Sequence, residues 1–549
     1  MKMKLCMVAA LIALPFAAGA VGAEPRETPA PKLVVAIAVD QFSADLFAQY
    51  RQHFTGGLRR LSEGAAFPAG YQAHAATETC PGHSTILTGS RPARTGIVAN
   101  NWYDLGAARE DKSIYCAEDE RVPGSTSRAY TVSPWHLRVP ALGDHMKSAN
   151  PASRVVVVAG KDRAAMMMGG HHPDQRWWWQ RGAFVSHSGV AAGPAVQAAN
   201  ARLADAMSRP REAFELPAPC VPRSRAVALE GGGQPVGDGR FARGALDADR
   251  RDDFRASPDF DAAVLALGIG LRDEMRLGQG SATDLLILGL SATDYVGHSL
   301  GTQGSEMCIQ MLALDRALGA LFERLDAAAI DYAVVLTADH GGVDIPERAR
   351  QQAAADSARV DPGLDVRRVE EAIAARLGLQ GRLLFGDSAF GDMYVSRDLP
   401  PEARRRVFEE AVRTYRGHPQ VAAVFTRDEL AAAPAPSGPP DEWSLIERAR
   451  ASFNPERSGD FIVLLAPRVS PIHDTSRGYV STHGSPWDYD RRVPILFWRR
   501  GLTPFEQPLP VETVDILPTL AGLLGLSIPA GSIDGRCLDL IEGPETSCR

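Results

Sequence analysis

No long block of lysine and arginine stands out in the sequence, although 59 of its 549 residues are basic. Its formal net charge is −7 at pH 7, so there is no electrostatic reason to expect nucleic acid or an anionic membrane surface as a partner. After the N-terminus, no apolar run approaches the length that spans a bilayer. The sequence also has no internal repeat, which argues against a fold built by stacking copies of one motif.

Cysteine is scarce, and its spacing argues against one kind of metal site. None of the seven cysteines forms a C-x-x-C pair, so a zinc site built from thiolates is not expected. Apart from Cys6 the cysteines number six, and an even number in an exported protein indicates disulfide bonds. Their pairing is open at this point, with Cys537 and Cys548 as the most local candidate pair.

The N-terminus has the layout of a secretory signal peptide. Two lysines in the first four residues precede an apolar stretch over 6–20, and small residues lead up to Glu24. This order predicts a signal peptide over residues 1–23, with cleavage near Ala20 or Ala23. We therefore expect a periplasmic or secreted protein without a stable membrane anchor.

Five short apolar runs predict the strands of a buried sheet. Helical patterns such as 259–275 and 305–325 lie between them, so the expected fold class is α/β, with a mostly parallel central sheet flanked by helices. Ligands of such sheets bind beyond the carboxyl ends of the strands, and polar residues recur there in this sequence. The runs cover residues 33–39, 154–159, 284–290, 332–338 and 493–498.

Two stretches interrupt the alternation of strands and helices. Residues 172–255 are rich in Gly, Pro, Arg and Trp and show little periodicity, which predicts an irregular insertion. Residues 347–478 combine helical patterns with short strands, which predicts a small α+β insertion or cap. The catalytic α/β core would then occupy residues 33–346 and 479–549.

Aspartates and histidines stand at the predicted strand ends and in the turns that follow them. Asp294 and His298 are four residues apart, a spacing that places both on one face of a helix. Each residue alone is equally consistent with a capping aspartate or a solvated histidine. Together they divide into two sets of three, and a catalytic zinc keeps three protein ligands and one open position. The six candidate ligands are Asp40, Asp294, His298, Asp339, His340 and His483.

Thr79 is the candidate nucleophile. It precedes Pro81, which suits the first turn of a helix, so its hydroxyl would lie near a helix N-terminus that favours anions. A bound zinc would lower the pKa of the hydroxyl and activate it. Without metals, Thr79 would be an ordinary helix cap, and Cys80 is a softer rival nucleophile.

Three further polar residues are candidates for binding the oxygens of a phosphoryl group. Lys161 and Arg163 follow the predicted strand 154–159, and Asn100 lies between Thr79 and that strand. Arginine contacts two phosphate oxygens at once, and lysine supplies a point charge. The alternative is that Lys161 and Arg163 lie on a solvated loop.

The sequence resembles the alkaline phosphatase superfamily, and most of all the PafA-like bacterial phosphatases, which use a threonine nucleophile and a Lys/Arg pair. The motifs that carry the resemblance are TETCPGH, ANNWYD, GKDR, TDYVGH, TADHGG and HGSPWDYD, in this order. The resemblance extends from about residue 33 to the end of the chain. It implies the alkaline phosphatase fold, which matches the sheet expected from the apolar runs.

The resemblance also implies roles for individual residues. It implies that Asn100, Lys161 and Arg163 bind the non-bridging phosphoryl oxygens. One zinc ion would be held by Asp294, His298 and His483. The second would be held by Asp40, Asp339, His340 and Thr79.

The expected function is that of a secreted two-zinc alkaline phosphatase, which hydrolyses phosphate monoesters through a phosphothreonine intermediate and releases inorganic phosphate. Lys161 and Arg163 favour a dianionic monoester, because stabilising developing charge is usually the largest catalytic effect. A phosphodiesterase or nucleotide pyrophosphatase of the same superfamily stays open, as does a non-catalytic metal- or phosphate-binding protein. A sulfatase is not expected, because the pattern C-x-P-x-R is absent at Cys80. We expect a monomer that acts on small phosphate monoesters.

The remaining tryptophans and histidines of interest have simpler expected roles. Trp177–Trp179 are expected to pack inside the insertion, with stacking on a leaving group as the alternative. His171 and His172 are expected in a loop. His74 and His83 are expected to support the ligands or to fill the core, because the set of ligands is already complete.

Overall fold

The computed structural model describes residues 29–541 and 546–548. The signal peptide predicted over residues 1–23 lies outside the described residues. Among the residues that are described, every helix is too short or too polar to span a bilayer.

The strands of the described residues form one large sheet and three small ones. They are β1 (Leu33–Val39), β2 (Ala65–Tyr71), β3 (Asn101–Tyr103), β4 (Ser113–Tyr115), β5 (Val155–Ala159), β6 (Gln175–Gln180), β7 (Ala183–Val185), β8 (Asp284–Leu290), β9 (Tyr332–Thr337), β10 (Ala358–Arg359), β11 (Leu384–Phe385), β12 (Gly391–Val395), β13 (Val421–Thr426), β14 (Phe461–Leu465), β15 (Val469–Ser470), β16 (Arg492–Arg499), β17 (Phe505–Glu506) and β18 (Val511–Glu512).

The α-helices of the described residues connect these strands or cover them. They are α1 (Ala44–Tyr50), α2 (Gly57–Ser62), α3 (Thr79–Ile86), α4 (Pro92–Thr95), α5 (Leu142–Ala149), α6 (Asp162–Gly169), α7 (Pro194–Ser208), α8 (Pro258–Glu274), α9 (Ala292–Leu300), α10 (Ser305–Ala327), α11 (Pro346–Gln351), α12 (Val366–Leu377), α13 (Pro401–Arg416), α14 (Arg427–Ala432), α15 (Leu445–Ser452), α16 (Asp488–Arg491) and α17 (Ile516–Leu524).

The central sheet has ten strands in the order β17-β2-β16-β9-β1-β8-β5-β6-β7, with β18 beside β2. β1 pairs in parallel with β8 and β9 on its two sides, and β5 and β6 continue the parallel set beyond β8. Every residue of β1 and β8 is buried, as expected of parallel strands with helices on both faces. The predicted α/β class with a mostly parallel central sheet is confirmed.

The last predicted strand does not join the parallel set. β16 runs antiparallel to both of its neighbours, β9 and β2, so the expectation that it resembles the other four runs is wrong in direction. The physical reason lies in the preceding segment. Residues 483–491 lie at the carboxyl ends of the parallel strands, so a strand that starts there directly must run in the opposite direction.

Side chains of alternate β1 residues enter two different cores. Every second residue of β1, among them Val35 and Ile37, packs with α7, α8 and α10 on one face of the sheet. Val34 and Ala36 pack with α3, α5, α6 and α17 on the other face. The sheet is therefore a layer between two helical layers, and its edge at the strand ends stays accessible from one side.

Residues 347–478 contain a second, antiparallel sheet with the strand order β11-β12-β14-β13. This sheet and the helices α12 and α13 share a hydrophobic core of their own. Its α15 reaches back to the central unit, where Ser452 Oγ accepts hydrogen bonds from the backbone N–H groups of Ala75 (3.1 Å) and Ala76 (3.2 Å). The insertion therefore supports the loop that leads to Thr79.

The prediction of an irregular insertion over residues 172–255 is wrong in its first part. β6 and β7 extend the central sheet, and α7 packs against α8. Trp177, Trp178 and Trp179 lie on β6 and are buried, so three consecutive bulky residues form a strand that is covered on both faces. From about residue 209 to 257 the chain forms only short 3-10 helices and isolated bridges.

Candidate active site

The candidate site lies where the central parallel strands end. Asp40 follows β1 directly, Asp339 and His340 follow β9, and Asp294 lies in the first turn of α9 after β8. Because β8 and β9 pair with β1 as far as its last residues, the residues that follow these strands are neighbours. Parallel pairing is therefore what collects the carboxylates at one edge.

The first group of candidate ligands consists of Asp294, His298 and His483, whose donor atoms lie within 4.8 Å of one another. Asp294 Oδ1 is 3.1 Å from His298 Nε2 and 3.5 Å from His483 Nε2. The other ring nitrogen of each histidine faces a backbone carbonyl, at 2.9 Å from Ser481 O and 2.8 Å from Thr77 O. Such contacts fix the tautomer that leaves Nε2 as a metal ligand.

The second group consists of Asp40, Asp339 and His340, again within 4.8 Å, and all three are fully buried. His340 Nδ1 contacts the carbonyl of Gly341 at 2.8 Å, which leaves its Nε2 for a ligand. Among the described residues, Asp40 Oδ1 and His340 Nε2 have no hydrogen-bond partner. Buried polar atoms without partners are costly, and carboxylate and imidazole donors suit zinc, so the residues fit a metal ion.

The two groups form one continuous site. The rings of His340 and His483 are stacked with centroids 3.5 Å apart. Gln41 connects the carboxylates of both groups, because its side-chain amide donates to Asp294 Oδ1 (3.2 Å) and its backbone N–H donates to Asp339 Oδ1 (3.1 Å). Gln41 has a φ of 65°, a left-handed conformation that is unusual for a non-glycine residue.

Lys161 supplies a positive charge to this acidic centre. Its ammonium lies 2.6 Å from Asp40 Oδ2 and 2.5 Å from Asp294 Oδ2. Burial alone would lower the pKa of Lys161, but Asp294 and Asp40 hold it above its ordinary value. Burial, together with the neighbouring Asp294 and Asp339, raises the pKa of Asp40 well above its ordinary value. The site is therefore short of positive charge even with Lys161 in place.

Thr79 is the first residue of α3, and the helix cap is Glu78, so the interpretation of Thr79 as an ordinary cap does not hold. The Thr79 hydroxyl lies 3.4 Å from both Lys161 Nζ and Arg163 Nη2. Thr79 is 1% exposed, and it sits at a helix N-terminus that favours negative charge. These contacts place a hydroxyl, two cations and the ligand groups together.

Asn100 is held against the start of the same helix. Its side-chain oxygen accepts a hydrogen bond from the backbone N–H of Cys80 (2.8 Å), and its own backbone N–H donates to Glu78 Oε2 (2.7 Å). Its side-chain amide hydrogens are thereby directed away from the helix backbone. Burial raises the pKa of Glu78 to about 7. Glu78 is a site residue that the sequence reasoning missed.

Cys80 is bonded to Cys116, which removes it as the rival nucleophile. Cys116 also donates its backbone N–H to the carbonyl of Asn100 (2.9 Å), so this disulfide joins the strand pair β3–β4 to the start of α3. A second disulfide joins Cys220 to Cys308. The most local predicted pair, Cys537 with Cys548, is confirmed.

Arg163 is positioned by two tyrosines that the sequence reasoning also missed. Tyr115 and Tyr130 each donate a hydroxyl hydrogen bond of 2.8 Å to Asp162, the residue that starts α6. Arg163 Nη1 lies 3.5 Å from the Tyr115 hydroxyl oxygen. Since Tyr115 precedes Cys116, one short segment supports Asn100, Asp162 and Arg163.

The other histidines lie where a support or surface role applies. His83 Nδ1 lies 2.9 Å from Asp339 Oδ2 and 2.9 Å from the carbonyl of Thr79, so it supports a candidate ligand. His74 is buried. His171 and His172 both contact Asp144 and lie outside the two ligand groups.

A cleft of about 1080 Å³ opens beside the site. Lys161 and Arg163 form part of its lining, together with Tyr295 and Arg255. We call the part of this cleft beyond Lys161 and Arg163 the outer cleft. Its charged lining residues are Asp111, Arg128, Asp162, Arg181, Asp252, Arg255 and Asp387. This cleft is the open space next to any organic group that is attached to a phosphate at Thr79.

Comparison with known proteins gives matches over almost the whole chain. Residues 34–486 match the family of type I phosphodiesterases / nucleotide pyrophosphatases. Alkaline phosphatase PhoK of Sphingomonas sp. is 56% identical over 523 residues, which cover 94% of this chain and 92% of that relative. Alkaline phosphatase PhoD of Zymomonas mobilis is 47% identical over 522 residues, which cover 94% of this chain and 89% of that relative.

A solved structure has the same architecture. The crystal structure of wild-type alkaline phosphatase PafA matches with a TM-score of 0.78 and 25% sequence identity. The match covers 92% of this chain and 98% of that chain.

Proposed function

The chain belongs to the type I phosphodiesterase / nucleotide pyrophosphatase family and, within it, to the PafA-like alkaline phosphatases, and we propose that it is a two-zinc phosphate monoesterase with Thr79 as nucleophile. One observation carries the proposal. The Thr79 hydroxyl lies 3.4 Å from two cations, and one of them, Lys161, contacts a carboxylate of each candidate ligand group.

The residues act in two steps. In the first, Thr79 Oγ1 loses its proton and forms a bond to phosphorus while the ester P–O bond breaks, and the leaving oxygen takes up a proton and departs as the alcohol. In the second, water attacks the phosphothreonine, the Oγ1–P bond breaks and inorganic phosphate is released. Asn100, Lys161 and Arg163 bind the non-bridging oxygens in both steps, where charge-assisted hydrogen bonds stabilise developing negative charge.

Two zinc ions fit the two ligand groups. When bound, they would lower the pKa of the Thr79 hydroxyl and of the attacking water and neutralise the alkoxide that leaves. Asp294, His298 and His483 would hold one ion, and the residues of the second group would hold the other. Lys161, which pairs with Asp40 and Asp294 in this structure, would then exchange these carboxylates for substrate oxygens.

The preference for monoesters follows from the charge beside Thr79. A monoester dianion has three non-bridging oxygens, whereas a diester has two and carries one negative charge fewer. Lys161 and Arg163 stabilise the additional charge, so they contribute more to the hydrolysis of a monoester. The diester-cleaving alternative predicts that these two cations contribute less to the rate.

We also propose that the protein is exported. The structure contains three disulfides among the described residues, and disulfides persist in oxidising compartments such as the periplasm or the exterior. The N-terminal sequence over residues 1–23 supports a secretory route. We propose a periplasmic or secreted monomer that acts on small phosphate monoesters.

The test compares p-nitrophenyl phosphate with methyl p-nitrophenyl phosphate, which share a leaving group. We expect Lys161→Ala and Arg163→Ala to lower kcat/KM for the monoester about 100-fold or more, because each removes a charge-assisted contact in the transition state. The diester rate should change by less than about tenfold. Thr79→Ala should abolish both activities. Equal losses for the two substrates, or activity that survives Thr79→Ala, would contradict the proposal.

A further inference from the structure

The outer cleft is larger than the reaction requires. The cleft as a whole, with Lys161 and Arg163 in its lining, has a volume of about 1080 Å³, slightly above the range of about 300–1000 Å³ for clefts that bind small organic molecules. A phosphoryl group alone occupies a small part of it. The remaining space is available to the alcohol portion of the substrate, so its lining determines which alcohols are bound.

The carboxylates of the outer cleft are already bound by protein donors. Asp162 accepts hydrogen bonds from two tyrosine hydroxyls, and Asp387 accepts one from Tyr103 (2.9 Å). Asp252 accepts a hydrogen bond from Trp179 Nε1 (2.9 Å). Asp111 accepts hydrogen bonds from Ser113 and Ser127. The acidic side chains therefore have little capacity left for a cationic ligand.

The arginines of the outer cleft have donors to spare. Within the described part of the chain, the guanidinium groups of Arg128 and Arg181 form no ion pair and no side-chain hydrogen bond, and both side chains are exposed. Arg255 is more ordered, because its guanidinium carbon lies 4.4 Å from the Tyr295 ring centroid. Its side chain is 30% exposed. Its Nε donates a hydrogen bond to the backbone carbonyl of Asp252 (3.0 Å), whereas its Nη2 lies 3.8 Å from Asp252 Oδ2, beyond hydrogen-bond distance.

Arg255 is linked to the reaction centre through one aromatic ring. It donates a hydrogen bond of 3.1 Å to the Tyr295 hydroxyl, and the same ring lies 5.1 Å from Lys161 Nζ. Both cations contact the electron-rich ring. A second anionic group on the substrate would therefore meet Arg255 directly beside the phosphoryl group that Lys161 binds.

We propose that the outer cleft binds a second anionic group carried by the leaving group, with Arg255 as the main contact and Arg181 at the rim. The favoured substrates are organic molecules with a further phosphate or phosphonate, because arginine binds such groups with two parallel hydrogen bonds. An aromatic leaving group without charge gains less, because Trp178 and Trp179, although they line the cleft, are only 4% and 5% exposed. This inference rests on the proposed monoesterase function.

The experiment uses two substrates with the same aryl leaving group: phenyl phosphate, and phenyl phosphate with a para-phosphonomethyl group. The phosphonate has a stable C–P bond, so it adds a dianion without adding a second cleavable ester. We expect the full-length enzyme to hydrolyse the phosphonate-bearing substrate with a kcat/KM about tenfold higher, chiefly through a lower KM. Addition of salt should reduce this advantage, because exposed charges are screened.

Arg255→Met keeps the bulk of the side chain and removes its charge. We expect this substitution to abolish the advantage of the phosphonate-bearing substrate while changing kcat/KM for phenyl phosphate less than about threefold. Arg181→Met, at an exposed position where folding is not at risk, should reduce the advantage in part. Arg251→Met is the matched control, because Arg251 lies on the same segment but does not line the cleft, and it should change neither substrate.

The outcomes separate this inference from the function on which it rests. If phenyl phosphate is not hydrolysed, the proposed function fails. If both substrates are hydrolysed with equal kcat/KM, or if the advantage persists in both Arg255→Met and Arg181→Met, the outer cleft does not recognise a second anion. An advantage that disappears in Arg255→Met but not in Arg251→Met supports it.

Discussion

At the scale of single residues, the site depends on side chains that hold other side chains in place. Gln41 connects two carboxylates of different ligand groups, and Glu78 holds Asn100. Neither is recognisable in the sequence, because a glutamine or glutamate beside a functional residue is common on any surface. Asp294 and His298 were predictable as a pair, because helical spacing puts them together, whereas the assignment of His483 to the same group as these two came only from the resemblance to a known family.

Buried His74 makes a prediction about stability and pH. Burial, reinforced by Arg491, lowers the pKa of His74 to about 3, whereas a histidine in an unfolded chain titrates near 6.5. Between these values the unfolded chain binds a proton that the folded chain does not bind. The contribution of His74 to the free energy of unfolding is therefore fully present above about pH 6.5. Below that pH it decreases by about 1.4 kcal/mol per pH unit.

We expect His74→Gln to show a smaller decrease in thermal midpoint between pH 7 and pH 5 than the unchanged protein. His53→Gln is the control, because His53 is exposed and should leave the pH dependence as it is. Calorimetric scans at several pH values measure the difference. Parallel curves for His74→Gln and the unchanged protein would show that the ring binds protons equally well in the folded and unfolded chain, and would contradict the prediction.

At the scale of elements, short segments rather than whole domains define the site. The segment 100–116 contains Asn100, which contacts the start of α3, and Tyr115, which contacts Arg163. One disulfide links this segment to the helix of Thr79. The strands and long helices were predictable from their periodicity. The antiparallel direction of β16 and the tryptophan strand β6 were not, because direction and burial depend on what precedes and covers a segment.

We expect the disulfide between Cys80 and Cys116 to affect the catalytic rate more than the stability of the fold. In Cys80→Ala/Cys116→Ala, the start of α3 and the segment that carries Asn100 lose their covalent link. We expect kcat for a monoester to fall about tenfold or more, because small displacements of catalytic groups are costly. Steady-state kinetics on p-nitrophenyl phosphate, with the thermal midpoint measured in parallel, tests this.

The matched control is Cys537→Ala/Cys548→Ala, which removes a disulfide at the C-terminal end. It should lower the thermal midpoint to some extent and leave kcat unchanged. If both double variants lose rate in proportion to their loss of stability, the link at Thr79 has no particular role in positioning.

At the scale of the whole molecule, the two ligand groups lead us to expect that the protein depends on metal for stability as well as for rate. Three buried aspartates, Asp40, Asp294 and Asp339, repel one another, and Asp294 and Asp339 raise the pKa of Asp40. Two divalent cations would remove this repulsion. The general fold was predictable from alternating strands and helices, whereas the outer cleft was not, because its arginines come from distant segments.

We expect the purified protein to contain two zinc ions per chain, one for each ligand group, by elemental analysis. Treatment with a chelator should abolish phosphatase activity and lower the thermal midpoint, and addition of zinc should restore both. Thr79→Ala should retain metal while losing activity, and Asp40→Asn should lose metal from the second group. Full activity in a protein free of metal would exclude the proposed chemistry.

The position of β1 has a consequence for how the molecule reaches its folded state. β1 is the first of the described strands, yet its two partners in the central sheet, β8 and β9, begin at Asp284 and Tyr332. Long-range pairing of this kind slows folding, because a large loop must close before the contacts form. The last candidate ligand, His483, lies still later in the chain. If the ligand groups bind zinc as we propose, the group that contains His483 is therefore completed late in folding, after the long-range pairing of β1.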